Sequence, residues 1–250
     1  MSGHSKWATI KHKKGATDAK RGKLFTKLIK ELTISARLGG GDPGGNPRLR
    51  KAVADAKGSQ MPSDTITRAI KRGTGELEGM NYEEILYEGT GPGGTLFVVE
   101  ALTDNKNRTV AEMRKLFERH AGVLGGGGAA MWAFDRKGLV TVEKSAATEE
   151  TLMEIIMDCG GENVADDGDS WQVECGVSDL DAVSTAIEKA GIKVDKCVPG
   201  YVPKNKRTVE GKEAEQVLSL YEALDDHDDC QNAYGDFDVS DAELERIAGQ

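Results

Sequence analysis

A chain of 250 residues, 38% of them hydrophobic and with a formal charge of −9, has room for two or three domains at roughly 100–200 residues each. Its cysteines, Cys159, Cys175, Cys197 and Cys230, lie far apart without a CxxC pair, which argues against a disulfide framework and for reduced structural thiols. No secretory leader reads near Met1, and no apolar run approaches the roughly 18 residues of a membrane span, so a cytoplasmic protein without a membrane partner is expected.

In chain order, the first stretch, GHSKWATIKHKKGATDAKRGKLFTKLIKELTISAR, opens with a polar arm and continues into a helix ending near Leu38, before Gly39-Gly40-Gly41. At about 100° per residue, Lys20, Lys23, Lys27 and Lys30 share a sector of roughly 80°. Leu24, Phe25, Leu28, Ile29, Leu32 and Ala36 fall opposite and are expected to face a core, while Ile34 lies under the basic sector and interrupts the pattern. Asn46-Pro47 reads as an N-cap followed by proline at the first helical position, opening a second helix to about Lys57. Ser63 is placed to cap a third helix, DTITRAIKR, stopped by Gly73. Residues 17–73 thus form a three-helix module. A helix-turn-helix reading of its last two helices finds only the loose connection Gly58–Pro62.

From Tyr82 the period changes. EEILYEG and TLFVVEALT read as strands joined by GTGPGG. Gly89, Gly91 and Gly94 match GxGxxG in form, but they lead into a strand. A dinucleotide loop must open a helix, so a turn with positive φ is the expectation. Thr109 is placed to cap the helix VAEMRKLFERHAG, and Gly125 to Gly128 to form a flexible loop before MWAF. Residues 138–198 then run β-α-β-β-α-β, the ferredoxin-like order, through GLVTVEK, ATEETLMEIIMDCG, VADDG, SWQVECG, SDLDAVSTAIEKAG and IKVDKCV. A strand VPKNKRTVE, a helix GKEAEQVLSLYEALDDH and a strand QNAYGDF follow, with SDAELERIAGQ a short capped helix or tail. Too little chain remains there for a separate domain. The fold class is therefore α+β in three domains: residues 1–78 helical, 79–132 with 199–250 a discontinuous α/β domain, and 133–198 a ferredoxin-like α/β insertion.

Charge is divided along this plan. Residues 1–72 carry 17 Lys/Arg against 5 Asp/Glu, a surplus of +12, whereas residues 73–250 carry 16 against 37, a surplus of −21. A basic module on an acidic body would orient on a polyanion. In the arm, Lys6, Lys11, His12, Lys13 and Lys14 sit with Trp7. Basic side chains around an aromatic suit single-stranded or loop nucleic acid, where a ring stacks on a base and lysines neutralise phosphate. A solvated face is the plainer reading of the helical lysines, and the arm ahead of them tips the balance towards nucleic acid.

GHSKWATIKHKKGATDAKRGKLFTKLIKEL, GGDPGGNPRLRKAV, MPSDTITRAIKRGTG, YEGTGPGG, LTDNKNRTVAEMR and SLYEALDDHDDCQNAYGDFD together resemble the YebC family, also called PmpR in bacteria. The resemblance covers nearly the whole chain. It implies a helical N-terminal domain and two α/β domains, the third inserted into the second. It also implies a nucleic-acid role for Lys6, Lys11, His12, Lys13, Lys14, Lys20, Arg21, Lys23 and Lys27, and extends it to Arg48 and Arg50; Trp7 and Lys30 join this set on the residue reading alone. Family members are described as transcriptional regulators binding promoter DNA, and others, including a mitochondrial activator of translation, are tied to the ribosome. Three departures from the family pattern stand out: Gln60 where asparagine is usual, the absence of a lysine usual near Ser63, and the glycine-rich Gly125–Gly128.

An enzyme is the competing class. His227, Asp228, Asp229 and Cys230 come nearest to a metal cluster, but consecutive residues point in different directions and no second ligand pair has a recognised spacing. Asp166, Asp167 and Asp169 read as a hairpin turn, and no nucleophile, base and orienting group can be assembled. The expectation is a non-enzymatic, cofactor-free regulator of gene expression, DNA-binding first and with a ribosome-associated factor binding ribosomal RNA or tRNA as the alternative; a metal-dependent enzyme comes third.

Overall fold

The computed structural model describes residues 18–249, with side chains from Arg21 onward. Three helices come first: α1 (Asp18–Gly39), α2 (Pro47–Gly58) and α3 (Ser63–Gly73). Leu32 and Ala36 of α1 are buried with Leu49, Ala52, Ala56, Met61, Ile66 and Ala69, and Phe25, Leu28 and Ile29 pack on the cluster's edge. Leu24, expected in this core, stays 44% exposed. At about 100° per residue it lies at the margin of the apolar sector.

The joints of the module follow from local chemistry. Asn46 accepts from the Leu49 amide as N-cap of α2, and its Nδ2 donates to the carbonyls of Ser35 and Gly40, tying α2 to the end of α1. The expected cap at Ser63 is absent. Pro62 holds that position without a side-chain bond, because the helix begins one residue earlier than DTITRAIKR suggests. Gly73 closes α3 against α1, where a Cβ would lie 2.3 Å from the Thr33 carbonyl oxygen and 2.7 Å from Ala36 Cβ. At the end of α2, Met61 N–H donates to Ala56 O and Gln60 N–H to Lys57 O, both at 2.9 Å. This is the six-to-one and five-to-two pairing of a Schellman cap, with Gln60 at φ 59°. Asparagine tolerates that left-handed conformation better than glutamine.

The second part is an antiparallel sheet in the order β3-β1-β2-β9, from β1 (Glu83–Thr90), β2 (Leu96–Thr103), β3 (Val123–Leu124) and β9 (Cys230–Gly235). Pro92–Gly94 turns between β1 and β2 with Gly93 at φ 64° and Gly94 at φ 72°, the glycine turn expected in place of a dinucleotide loop. Helices α4 (Lys106–Arg119) and α7 (Gly211–Asp225) supply Met113, Phe117, Val217, Leu218, Leu220 and Leu224 to its core. Asn105, not Thr109, caps α4 by accepting from the Arg108 amide. Thr109 lies a turn inside and is fully buried. Two short strands, β8 (Arg207–Thr208) and β10 (Phe237–Asp238), pair in parallel, and α8 (Asp241–Ala248) closes the chain under a Ser240 cap.

The third part is a four-stranded antiparallel sheet, β5-β6-β4-β7, from β4 (Phe134–Glu143), β5 (Gly161–Asp167), β6 (Ser170–Cys175) and β7 (Lys196–Pro203). Helices α5 (Glu149–Met157) and α6 (Leu180–Lys189) cover it through Leu152, Ile156, Val183 and Ile187. This is the ferredoxin-like order. The last strand lies later than expected: IKVDKCV gives way to Lys196–Pro203, so VPKNKRTVE, expected as one strand, is split between the end of β7 and β8. Pro199 can stay inside β7 because that strand is at the sheet edge.

Candidate nucleic-acid interface

Helix α1 has a second face, opposite the apolar one. Lys23 Nζ lies 3.4 Å from an Asp226 carboxylate oxygen, and Lys27 Nζ donates to the Asp225 carbonyl at 2.6 Å with the Asp225 carboxylate at 3.5 Å. Lys30 donates to the Asp228 carbonyl at 2.8 Å and forms an ion pair with Asp229. One turn on, Ile34 is 2% exposed and the Arg37 guanidinium donates to the Tyr82 carbonyl. The residue that interrupts the basic stripe is therefore part of an interdomain face.

Asp229 is the centre of that face. Its Oδ2 accepts from Arg108 Nη2 at 2.9 Å and from Thr109 Oγ1 at 2.7 Å, while Oδ1 takes the Lys30 ammonium. Burial opposes its ionisation, but the bonds from Lys30, Thr109 and Arg108 prevail and hold its carboxyl well below the usual carboxylate range. Lys30 is 5% exposed. A phosphate cannot reach its ammonium while this pairing stands, so Lys30, placed by periodicity on a binding stripe, serves instead to join two domains.

The other expected binding residues divide in the same manner. Arg48 is engaged by carboxylates: Nε and Nη2 donate to both oxygens of Glu31 at 2.6 and 2.9 Å, and Nη2 lies 2.7 Å from Glu84. Arg50 is exposed and, among the described residues, makes only long hydrogen bonds, 3.4 and 3.5 Å, to the carbonyls of Pro43 and Gly44. Arg21 is exposed with its guanidinium 5.4 Å from the Phe25 ring centroid. Lys6, Trp7, Lys11, His12, Lys13 and Lys14 lie outside the described residues, and of Lys20 only the backbone, within α1, is described. Sequence reasoning passes over Arg68, Lys71 and Arg72 of α3, which are exposed on the same module. Their signal is the module's charge surplus, which the arm and α1 do not exhaust.

The structure also gathers the residues nearest to a metal cluster, bringing His227 and Asp229 beside Glu112. His227 Nδ1 accepts from the Asp229 amide at 3.1 Å, so its proton resides on Nε2, 3.1 Å from Glu112 Oε2. With Asp229 already balanced by Lys30 and Arg108, the group is arranged as a hydrogen-bonded joint. Asp228 and Cys230 add no ligand atom to it. Among the described residues, no helix is long and apolar enough to cross a membrane.

Two family models match this chain, the TACO1/YebC N-terminal domain over residues 5–76 and the TACO1/YebC second and third domain over residues 82–237. The chain belongs to the TACO1/YebC family. A relative from Desulforapulum autotrophicum is 55% identical over 241 residues, 96% of this chain and 98% of that one. Another from Koribacter versatilis is 51% identical over 249 residues and the full length of both. Each bears the name "Probable transcriptional regulatory protein". A conserved hypothetical protein of Aquifex aeolicus has a crystal structure similar to this one, with a TM-score of 0.84 and 40% identity over 90% of this chain and 93% of that one. The YebC resemblance of the quoted motifs and the three-part α+β fold are thus both met.

Proposed function

We propose that this protein is a non-enzymatic regulator of gene expression that binds nucleic acid through the N-terminal arm and the outward face of the helical module. The observation that carries this reading is the sorting of cations. Lys23, Lys27 and Lys30 are matched by Asp226, Asp225 and Asp229 of the acidic body. Arg21, Arg50, Arg68, Lys71 and Arg72 remain exposed on the basic module. Exposed cations on one end of an otherwise acidic molecule release counterions from a polyanion and orient the body away from it. The proposed division of labour follows the chain: residues 1–78 bind, and 79–132 with 199–250 present the acidic corner that holds α1. The ferredoxin-like unit 133–198 would shape access.

The names of the relatives support transcription, which makes promoter DNA the first target to test, in a protein acting in the cytoplasm. Ribosomal RNA is the second, favoured by Trp7 among the arm's lysines and by the loose α2–α3 connection, which offers no recognition helix of the helix-turn-helix kind. The test is titration of the full chain with promoter duplex and with ribosomal RNA at several salt concentrations. Lys13→Glu/Lys14→Glu is expected to weaken binding and to flatten the log–log salt slope by roughly 0.7–0.9 for each phosphate no longer neutralised. Unchanged affinity and slope would remove the arm from the mechanism. Co-sedimentation with ribosomal particles, abolished by RNase, would move the reading from transcription to translation.

A further inference from the structure

A second cationic surface lies at the far end of the β3-β1-β2-β9 sheet. Strands β1 and β2 pair in full register, Glu83 opposite Thr103 at one end and Thr90 opposite Leu96 at the other. The Lys30–Asp229 joint sits at the first end, where Leu102 N–H donates to the Asp229 carbonyl. At about 3.4 Å per residue, the second end is about 25 Å away.

There the chain presents Lys204-Asn205-Lys206-Arg207, all exposed, in a body otherwise dominated by acids. Among the described residues Lys206 and Arg207 make no side-chain ion pair. Arg207 is set on the sheet end by its backbone N–H, which donates to the Asp236 carbonyl at 2.6 Å, and the Asp236 carboxylate in turn accepts from Leu96 N–H at 2.7 Å. Lys204 Nζ donates to the Trp132 carbonyl at 3.0 Å and lies 3.6 Å from Asp135. The basic segment therefore adjoins Trp132.

Trp132 is a 68% exposed aromatic. Its indole N–H donates to the Ala129 carbonyl at 3.2 Å. That bond lies in the ring plane, so it orients the indole while leaving its π-face available. The loop beneath is also fixed. Buried Glu88 accepts from the amides of Gly128, Ala130 and Met131 at 2.8, 2.7 and 2.7 Å. Ala130, Ala133 and Phe134 are buried with Val98. The glycine-rich stretch expected as a flexible loop is thus clamped at its exit, and the clamp places the indole. Burial opposes ionisation of Glu88, but the three amides hold its carboxyl below the ordinary value.

We propose that this corner is a second binding point for single-stranded nucleic acid, with Trp132 stacked on an unpaired base and Lys204, Lys206 and Arg207 on the flanking phosphates. A fixed, exposed indole beside exposed cations is the combination that binds single strands with little sequence preference. The binding point rests on the nucleic-acid reading above and extends it, adding a second cationic surface about 25 Å from the joint that holds α1.

The experiment uses the full chain and two fluorescein-labelled probes, a 12-nucleotide oligouridine and a duplex RNA of equal length. Trp132→Ala is expected to weaken the single-strand complex by about 5- to 100-fold and to leave the duplex complex unchanged. Trp132→Phe should restore most of that affinity, which a merely structural role would not predict for a residue this exposed. In a Trp7→Phe/Trp171→Phe background Trp132 is the sole tryptophan, and its emission should be quenched by the single strand. Single-strand binding that survives Trp132→Ala with emission unchanged overturns this binding point alone and leaves the corner to a protein partner. If the unmodified chain binds neither these probes nor promoter DNA nor ribosomal RNA, the functional reading falls with it.

Discussion

On one side of α1, Leu32 and Ala36 pack among Leu49, Ala52, Ile66 and Ala69; on the other, Lys23, Lys27 and Lys30 reach Asp226, Asp225 and Asp229. The apolar side is held by area removed from water, which is indifferent to partner identity and little affected by dilute salt. The charged side is graded. Its pairs run from exposed at Lys23, with 42% of the side chain accessible, to enclosed at Lys30, with 7%. Exposed pairs are screened and contribute little. An enclosed pair whose carboxylate is also bonded by Arg108 and Thr109 tolerates no vacancy. One helix thus carries a non-specific seam and a specific one, and the specific seam sets how the basic module sits on the acidic body.

The largest effect is expected from Asp229→Ala, which leaves the buried Lys30 ammonium with the Asp228 carbonyl but without its counter-charge. A loss of about 3–5 kcal/mol is expected, read as a lowered urea midpoint. The pH dependence has a definite sign. The folded carboxyl of Asp229 lies below its unfolded value of about 3.9, so the unfolded chain binds the proton more readily. Its contribution is complete above the unfolded value and is lost as pH falls below it towards the folded one. The wild-type chain should therefore lose more stability than Asp229→Ala between about pH 4 and pH 2. Parallel slopes in that range would mean that Asp229 is not the titrating joint.

On the apolar side, Leu32→Ala is expected to cost about 2–5 kcal/mol through forfeited transfer energy and the cavity left among α2 and α3. The comparison becomes sharp when both variants are measured at roughly 0.05 M and 1 M salt, where the Debye length falls from above 10 Å to about 3 Å. The Leu32→Ala deficit should be the same at both. A deficit that shrinks with salt would place the apolar seam under electrostatic control and dissolve the distinction between the two faces.

Much of this arrangement is legible in the residues themselves. Asn46-Pro47 opens a helix where expected, and the alternation from 138 to 198 leads to the ferredoxin-like order because period and turn chemistry agree. What periodicity cannot disclose is the partner of a helical face. The lysines of α1 look the same in sequence whether they meet phosphate, water or Asp225, Asp226 and Asp229, which lie some two hundred residues later. The one local sign is Ile34, an apolar residue on a basic face. Thr109 misleads because threonine at a helix start mimics a cap, and Asn105 outcompetes it. Trp132 has no sequence signal at all: a lone aromatic after a glycine run belongs to no period, and only the Glu88 clamp, drawn from another strand, gives it a direction.

The smallest structural effect, and the most informative for binding, is expected from Asp225→Asn/Asp226→Asn. Both carboxylates are more than half exposed, so removing their charge should change stability by only about 0–1 kcal/mol in total. Lys30 keeps Asp229, and α1 should stay docked. What changes is the company of Lys23 and Lys27. Lys23 lies at the accessible rim, and removing its carboxylate frees an ammonium at the exposed edge of the stripe. If the basic stripe contributes to binding, affinity for nucleic acid rises and the log–log salt slope steepens by up to about 0.9 for each lysine that gains a phosphate. The double variant thereby separates the two uses of one stripe. A steeper slope with unchanged stability assigns its outer lysines to nucleic acid and its inner one to architecture. An unchanged slope confines all three lysines to the domain joint and leaves binding to the arm, Arg21 and the exposed cations of α2 and α3.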